Sequence, residues 1–252
     1  MLAAPPNVLA IAAADPTGGA GLQADILTLA SLGCHPLSVL TALTVQDTHG
    51  VTALHLVPAA QVAAQARCVL ADAPARAIKI GVFGSAENAQ AIAAILDAHP
   101  GVPVVLDPVL ASARGDALGD AAALQALREL LLPRATVATP NSVEARALGG
   151  AAALLALGCR HVLVTGAHEP GDEVVNVLHG AAGIEREDRW PRLPGSYHGS
   201  GCTLASALAA RLAHGDALAE AVRRAQDYTW CALERGYRPG GGQHVPDRLH
   251  AR

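Results

Sequence analysis

Short apolar runs alternating with Ala- and Leu-rich helical stretches predict an α/β protein in three α/β/α layers, its central sheet mostly parallel and covered by helices on both faces. Two further observations support that class. The apolar runs empty into polar residues or glycine at Asp15, Gln46, Gly81, Asp107, Asn141 and Thr165, as strands do where their carboxyl ends face a shared ligand cleft. A chain of 252 residues, 51% hydrophobic but only 2% aromatic, suits one core of closely packed small side chains. No repeat, linker or low-complexity tract divides it, so residues 1–252 are expected to form a single domain.

In chain order, residues 8–12 form the first buried strand, which runs into Asp15-Pro-Thr-Gly-Gly-Ala-Gly21 and a helix from Leu22 that Gly33 closes. Residues 36–43 and 51–57 read as strands on either side of Thr44 to Gly50, and Pro58 opens a helix to about residue 71. Alternation then continues: strand 77–80, helix 86–98, strand 102–106, helix 119–132, strand 135–138, short helices within 142–157, and strand 162–165. Residues 173–179 and 184–190 read as a small antiparallel pair. Helices 201–214 and 216–236 follow, and a Pro/Gly-rich tail at 238–242 ends the fold.

The stretch richest in chemistry is Gly195-Ser-Tyr-His-Gly-Ser-Gly-Cys202, which feeds directly into a helix. A glycine loop at a helix start points backbone N–H groups and the positive end of the helix dipole at an anion. A cysteine in that first turn feels the same field, which favours the thiolate. Anion cradle and polarised base together suit phosphoryl transfer to a hydroxyl; a Gly-rich turn before a buried helix is the plainer alternative.

Composition narrows the partners. A formal net charge of −4 without a basic run argues against nucleic acid or an anionic membrane surface. Five widely spaced cysteines without Cys-x-x-Cys fit a reducing cytoplasm, and no apolar run is as long as a membrane span. Eleven histidines are scattered, without metal-ligand spacing, and His198 reads as an ordinary loop histidine. Asp25 lies inside the first helix and reads as half of a structural ion pair. Lys79, the only lysine, sits within a strand.

Six stretches in this order carry a resemblance that covers nearly the whole chain: Asp15 to Asp25, Thr41 to Thr48, Lys79-Ile-Gly81, Leu106-Asp-Pro-Val109, Thr139-Pro-Asn-Ser-Val-Glu144 and His198-Gly-Ser-Gly-Cys202. The chain resembles the ribokinase-like superfamily, and within it the hydroxymethylpyrimidine/phosphomethylpyrimidine kinases of thiamine biosynthesis. The resemblance implies a cytoplasmic homodimer that uses ATP and Mg2+ to phosphorylate a small-molecule aminopyrimidine alcohol and its monophosphate. Cys202 would take the hydroxymethyl proton, with Gly199, Ser200, Gly201 and Cys202 supplying an anion hole. Asn141, Thr165 and Arg114 would serve the nucleotide, and Glu144 and Asp107 the metal, largely through water. The alternative for Asn141 and Glu144 is a turn and helix-start acid.

At the substrate end Gln46 would pair with the aminopyrimidine edge, Ala20 and Gly21 would let the backbone approach the ring, and Val45, Val82 and Val109 would cover it. Asp15 would contact substrate or cap its turn. The chain departs from the family in lacking lysines after Asp107-Pro-Val109 and after Thr165, leaving Arg114 as the available cation. Two other readings stay open: a pyridoxal or pyridoxine kinase, whose ring also carries a hydroxymethyl group, and a non-catalytic pyrimidine binder. Cysteine in place of the usual sugar-kinase aspartate, and the scarcity of carboxylates and amides for ring hydroxyls, make a sugar kinase the weaker choice.

Overall fold

A computed structural model describes residues 4–109 and 119–250. Among the described residues its frame is one nine-stranded sheet, in which strand β1 (Asn7–Ala14) is third from one edge and buried along most of its length. β2 (His35–Gln46) pairs parallel to it on one side, and β3 (Val51–Leu56) pairs antiparallel to β2 at the edge. On the other side β4 (Ala77–Ile80), β5 (Val104–Leu106), β6 (Val137–Ala138) and β7 (Val162–Val164) follow in parallel. The expected antiparallel pair is present as β8 (Glu173–Gly180) and β9 (Gly183–Pro191), and it extends this sheet, with β8 antiparallel to β7.

Helices α1 (Gly21–Ser31), α7 (Ser200–Ala213) and α8 (Leu218–Glu234) cover one face. The other is covered by α2 (Ala59–Asp72), α3 (Ala86–Asp97), α4 (Ala121–Ala126) and α6 (Gly150–Ala156), while α5 (Ser142–Ala147) leads into α6. Alanines such as Ala205, Ala207, Ala209 and Ala210 let α7 lie close on β1, β4 and β5. The helix expected over 119–132 is present from Ala121 but changes pitch: α4 passes without a gap into a π-helical turn, Leu127–Leu131, and a 3-10 turn, Leu132–Arg134. Pro133 has no N–H to continue the ladder, and the strand expected from 135 begins only at Val137.

Strand order reverses between β1 and β4, where β2 and β4 flank β1 on opposite sides. An open parallel sheet leaves a crevice at such a point, beyond the carboxyl ends of the strands. Asp15, Gly81 and Asp107 follow directly on β1, β4 and β5 there. A surface hollow of about 610 Å³ between α4 and α6, lined by Leu124, Arg128 and Ala153, lies on the face opposite α7 and away from that crevice.

Candidate active site

The α7 loop is locked against the loop after β1. Gly199 caps α7 at φ 79°, and a side chain there would strike the Gly19 carbonyl and the Arg248 guanidinium. The first helical bond runs from Thr203 N–H to the Gly199 carbonyl, at 3.0 Å, so the N–H groups of Ser200, Gly201 and Cys202 have no acceptor within the helix. Buried Arg248 donates to the carbonyls of Gly18, Gly19 and Gly199 and, at 3.0 Å, to Thr203 Oγ1. The tail after residue 238 thus returns to clamp both loops. Its sequence carries only one arginine between Asp247 and Leu249, without a motif to mark this role.

A Cβ built on Gly201 would lie 3.6 Å from Asp107 Oδ2, which puts a carboxylate beside the anion cradle. Oδ2 is buried without a hydrogen-bond partner among the described residues. Burial raises the Asp107 pKa to about 6, with Lys79 opposing the rise and Asp25 adding to it. Beneath lies a fully buried ion pair in which Lys79 Nζ meets both oxygens of Asp25, at 2.8 and 2.9 Å. Ser206, one turn below Cys202 on α7, donates to Asp25 Oδ1 at 2.8 Å. Burial works against the Lys79 charge, but Asp25, Cys202 and Asp107 outweigh it and hold the ammonium protonated. The inference of a structural pair for Asp25 stands.

The thiolate expectation for Cys202 does not. Cys202 keeps part of its surface open, yet the protein around its sulfur pushes the thiol up to about 11. Desolvation is the main cause; Lys79 and the Gly21 N–H oppose it, while Asp25 and Asp107 add to it. With desolvation dominant and two buried carboxylates adding to it, the thiol is the favoured resting form.

At the other end of the crevice Asp15 serves as both a cap and a contact. Oδ1 accepts from Thr17 N–H and Thr17 Oγ1, Oδ2 accepts from Ala20 N–H at 2.7 Å, and Oδ2 also meets His198 Nε2 at 2.8 Å. Burial raises its pKa, but the bonds from His198 and Thr17 prevail and bring it to about 2. His198 is therefore no ordinary loop histidine: its Nε2 also lies 3.1 Å from the Gln46 amide. Gly21, at φ 59°, sits where a Cβ would strike the Ala13 carbonyl at 2.4 Å, so packing onto β1 requires this glycine independently of any ring. Ala20, Val82 and Val109 are partly buried, whereas Val45 is 52% exposed and so half open to solvent.

At the ends of β6 and β7, Asn141 and Thr165 form an isolated parallel bridge. Asn141 Oδ1 accepts from the N–H groups of Val143 and Glu144, and Glu144 Oε2 accepts from Asn141 N–H at 2.9 Å. This reciprocal capping box is the structural alternative foreseen for the pair. Arg114 lies outside the described residues.

The sequence profile of the family described as phosphomethylpyrimidine kinase matches residues 15–247. The chain belongs to the phosphomethylpyrimidine kinase family. A hydroxymethylpyrimidine/phosphomethylpyrimidine kinase of Streptomyces coelicolor is 43% identical over 94% of this chain and 92% of its own. A phosphomethylpyrimidine kinase structure from Clostridium difficile superposes with a TM-score of 0.79 at 34% identity, covering 90% of this chain and 99% of that one. Pyridoxal kinase from Staphylococcus aureus, solved with AMP-PCP and pyridoxal, gives a TM-score of 0.88 at 28% identity, over 98% and 94% of the two chains.

Phosphoryl transfer by such kinases raises the question of a divalent cation. Among the described residues no three His, Cys, Asp or Glu side chains form a metal cluster. Magnesium needs few protein carboxylates because it keeps water and shares phosphate oxygens. The unpartnered Asp107 Oδ2, facing the loop that would hold phosphate, fits that requirement. None of the described helices is long and apolar enough to cross a membrane.

Proposed function

We propose that this member of the phosphomethylpyrimidine kinase family transfers the γ-phosphoryl group of ATP to the hydroxymethyl oxygen of 4-amino-5-hydroxymethyl-2-methylpyrimidine, and then adds a second phosphoryl group to that monophosphate. The observation that carries this reading is the α7 start, where three backbone N–H groups without helical acceptors, Cys202 and the orphaned Asp107 oxygen meet at the sheet's switch point. The first transfer forms an O–P bond at the substrate alcohol, breaks the bond to the departing ADP, and releases the hydroxyl proton. The N–H groups of Ser200, Gly201 and Cys202 would neutralise charge building on the phosphoryl oxygens.

Only ionised Cys202 can accept a proton; at a pKa of about 11 that form is about one molecule in ten thousand at neutral pH. Lys79 is a buried cation that favours it. Mg2+ would supply charge neutralisation for the phosphates, with Asp107 as its protein ligand and Glu144 reaching it through water. Asn141 and Thr165 would border the nucleotide, while Arg114 is the cation proposed for its phosphates. Gln46 would meet the ring, with Ala20, Val82 and Val109 beside it. A second chain would pack on half-exposed Leu43 and Val45 near the β3 edge, giving a cytoplasmic homodimer.

The testing experiment measures ADP formation with Mg2+ and ATP for the pyrimidine alcohol, its monophosphate and pyridoxal, with products identified by mass. Turnover of both pyrimidines is expected. The close structural match to pyridoxal kinase favours pyridoxal as the second candidate, and turnover of pyridoxal alone would overturn the pyrimidine assignment. Ring binding without ADP formation would point to a non-catalytic binder.

A further inference from the structure

Asp15, His198 and Gln46 meet through one imidazole nitrogen, and a count of hydrogens decides what Gln46 offers the crevice. His198 Nε2 lies 2.8 Å from Asp15 Oδ2 and 3.1 Å from Nε2, the nitrogen end, of the Gln46 amide. The Asp15 carboxylate is buried and already accepts from Thr17 N–H, Thr17 Oγ1 and Ala20 N–H. That donor set keeps it ionised, so it has lone pairs and no proton to give. Whether the imidazole is neutral or charged, the nitrogen facing an ionised carboxylate at 2.8 Å must carry hydrogen.

Nε2 therefore has no lone pair for an amide N–H of Gln46. The two ends of a side-chain amide have nearly the same shape, and hydrogen bonding decides between them. Two N–H groups cannot face each other, so the hydrogen count exchanges the two amide ends: the Gln46 carbonyl turns to His198, sharing the Nε2–H with Asp15, and the NH2 group is left on the open side. The ring cannot easily swing to another arrangement. A Cβ on Gly19 would lie 2.4 Å from His198 Cδ2, and the His198 backbone N–H is tied to the His244 carbonyl at 2.8 Å.

We propose that Asp15 and His198 form a positioning pair that fixes the Gln46 amide with its N–H donors toward the crevice, so that the site selects rings presenting a bare nitrogen acceptor over rings presenting N–H. The selection deepens the proposed function and rests on its reading that Gln46 meets the ring. His198 also directly precedes Gly199, so the pair links ring recognition to the loop that would receive phosphate.

The test compares kcat/KM for the aminopyrimidine alcohol with that for its pyrimidin-4-one counterpart, whose ring nitrogen carries hydrogen. In His198→Met the preference should fall about tenfold, through KM for the pyrimidine and with little change in KM for ATP. His198→Gln, whose NH2 can donate to both Asp15 and Gln46, should restore most of it. Equal losses for both rings together with a raised KM for ATP would mark a merely structural role and overturn the proposal.

Gln46→Ala separates the two readings. If it leaves the preference intact, the ring contact itself fails and the positioning pair falls with it. If it abolishes the preference while His198→Met does not, the positioning pair alone is wrong. Long-range 1H–15N correlation spectra of the unmutated protein give a readout independent of folding in the variants. A hydrogen on His198 Nε2 is expected, and a neutral imidazole protonated only on Nδ1 would refute the hydrogen count.

Discussion

Asp107→Asn should make the protein more stable and nearly inactive. The carboxyl is buried at the end of β5, Oδ2 has no partner among the described residues, and burial raises its pKa from 3.8 to about 6. A rise of about two units, at about 1.4 kcal/mol each, means that the ionised group weakens the fold by about 3 kcal/mol at neutral pH. The sign follows from proton binding. Between pH 4 and 6 the folded chain holds a proton on Asp107 that the unfolded chain has released, so the weakening fades as pH falls and is lost below the unfolded value of 3.8. Asparagine keeps the shape without the charge but adds N–H donors to a buried place, so the expected net gain at pH 7.5 is about 1–3 kcal/mol. Urea unfolding of both proteins at pH 7.5 and 4.5 measures it, and the charge-related part should shrink to about a third at the lower pH. ATP turnover should fall by at least about a hundredfold if Asp107 holds the metal and phosphoryl charge. A variant less stable than the parent at pH 7.5, or equally favoured at both pH values, would refute this account of the carboxyl.

Cys202→Ala should keep pyrimidine binding, measured by calorimetry, and lose most turnover. In the parent, single-turnover phosphoryl transfer should climb from pH 7 to 9 as the thiol raised to about 11 begins to ionise, and a profile unchanged in the variant would leave Cys202 without a proton-transfer role. Lys79→Met should cost about 3–5 kcal/mol by stranding the Asp25 charge, whereas Lys79→Met with Asp25→Leu should recover much of that, as urea midpoints would show. Because the Lys79 pKa is raised, the pair's contribution is full throughout neutral pH and is lost only at alkaline pH above the ordinary lysine value. Arg248→Ala should lower stability by about 2–4 kcal/mol and turnover with it, since its bonds join the Gly18-Gly19 and Gly199 segments; unchanged turnover would mean those loops hold their places without the tail.

Local pattern carries information about local structure, and this chain shows where that information ends. Strand period and polar strand ends were enough to find the parallel sheet and its active edge, because burial on both faces writes nearly continuous apolar runs between ligand-facing residues. The glycine loop before α7 was equally legible, since φ 79° at Gly199 and the close approach of Gly19 leave little room for a side chain. The charge state of Cys202 was not. A helix start alone favours thiolate, but the sulfur lies over Asp25 from α1 and beside Asp107 after β5, groups separated from it by roughly 180 and 95 positions. His198 looked ordinary for the same reason, as its partners Asp15 and Gln46 come from the ends of two different strands.

The capping box of Asn141 and Glu144 poses the converse problem. One spacing serves both helix starting and metal or phosphate binding, and the geometry satisfies the first without excluding the second. Arg248 is the clearest case of a long-range requirement. An arginine near the end of the chain becomes the clamp between the loop after β1 and the loop before α7, so the spacing between ring site and phosphate site depends on the last folded segment as much as on either glycine motif.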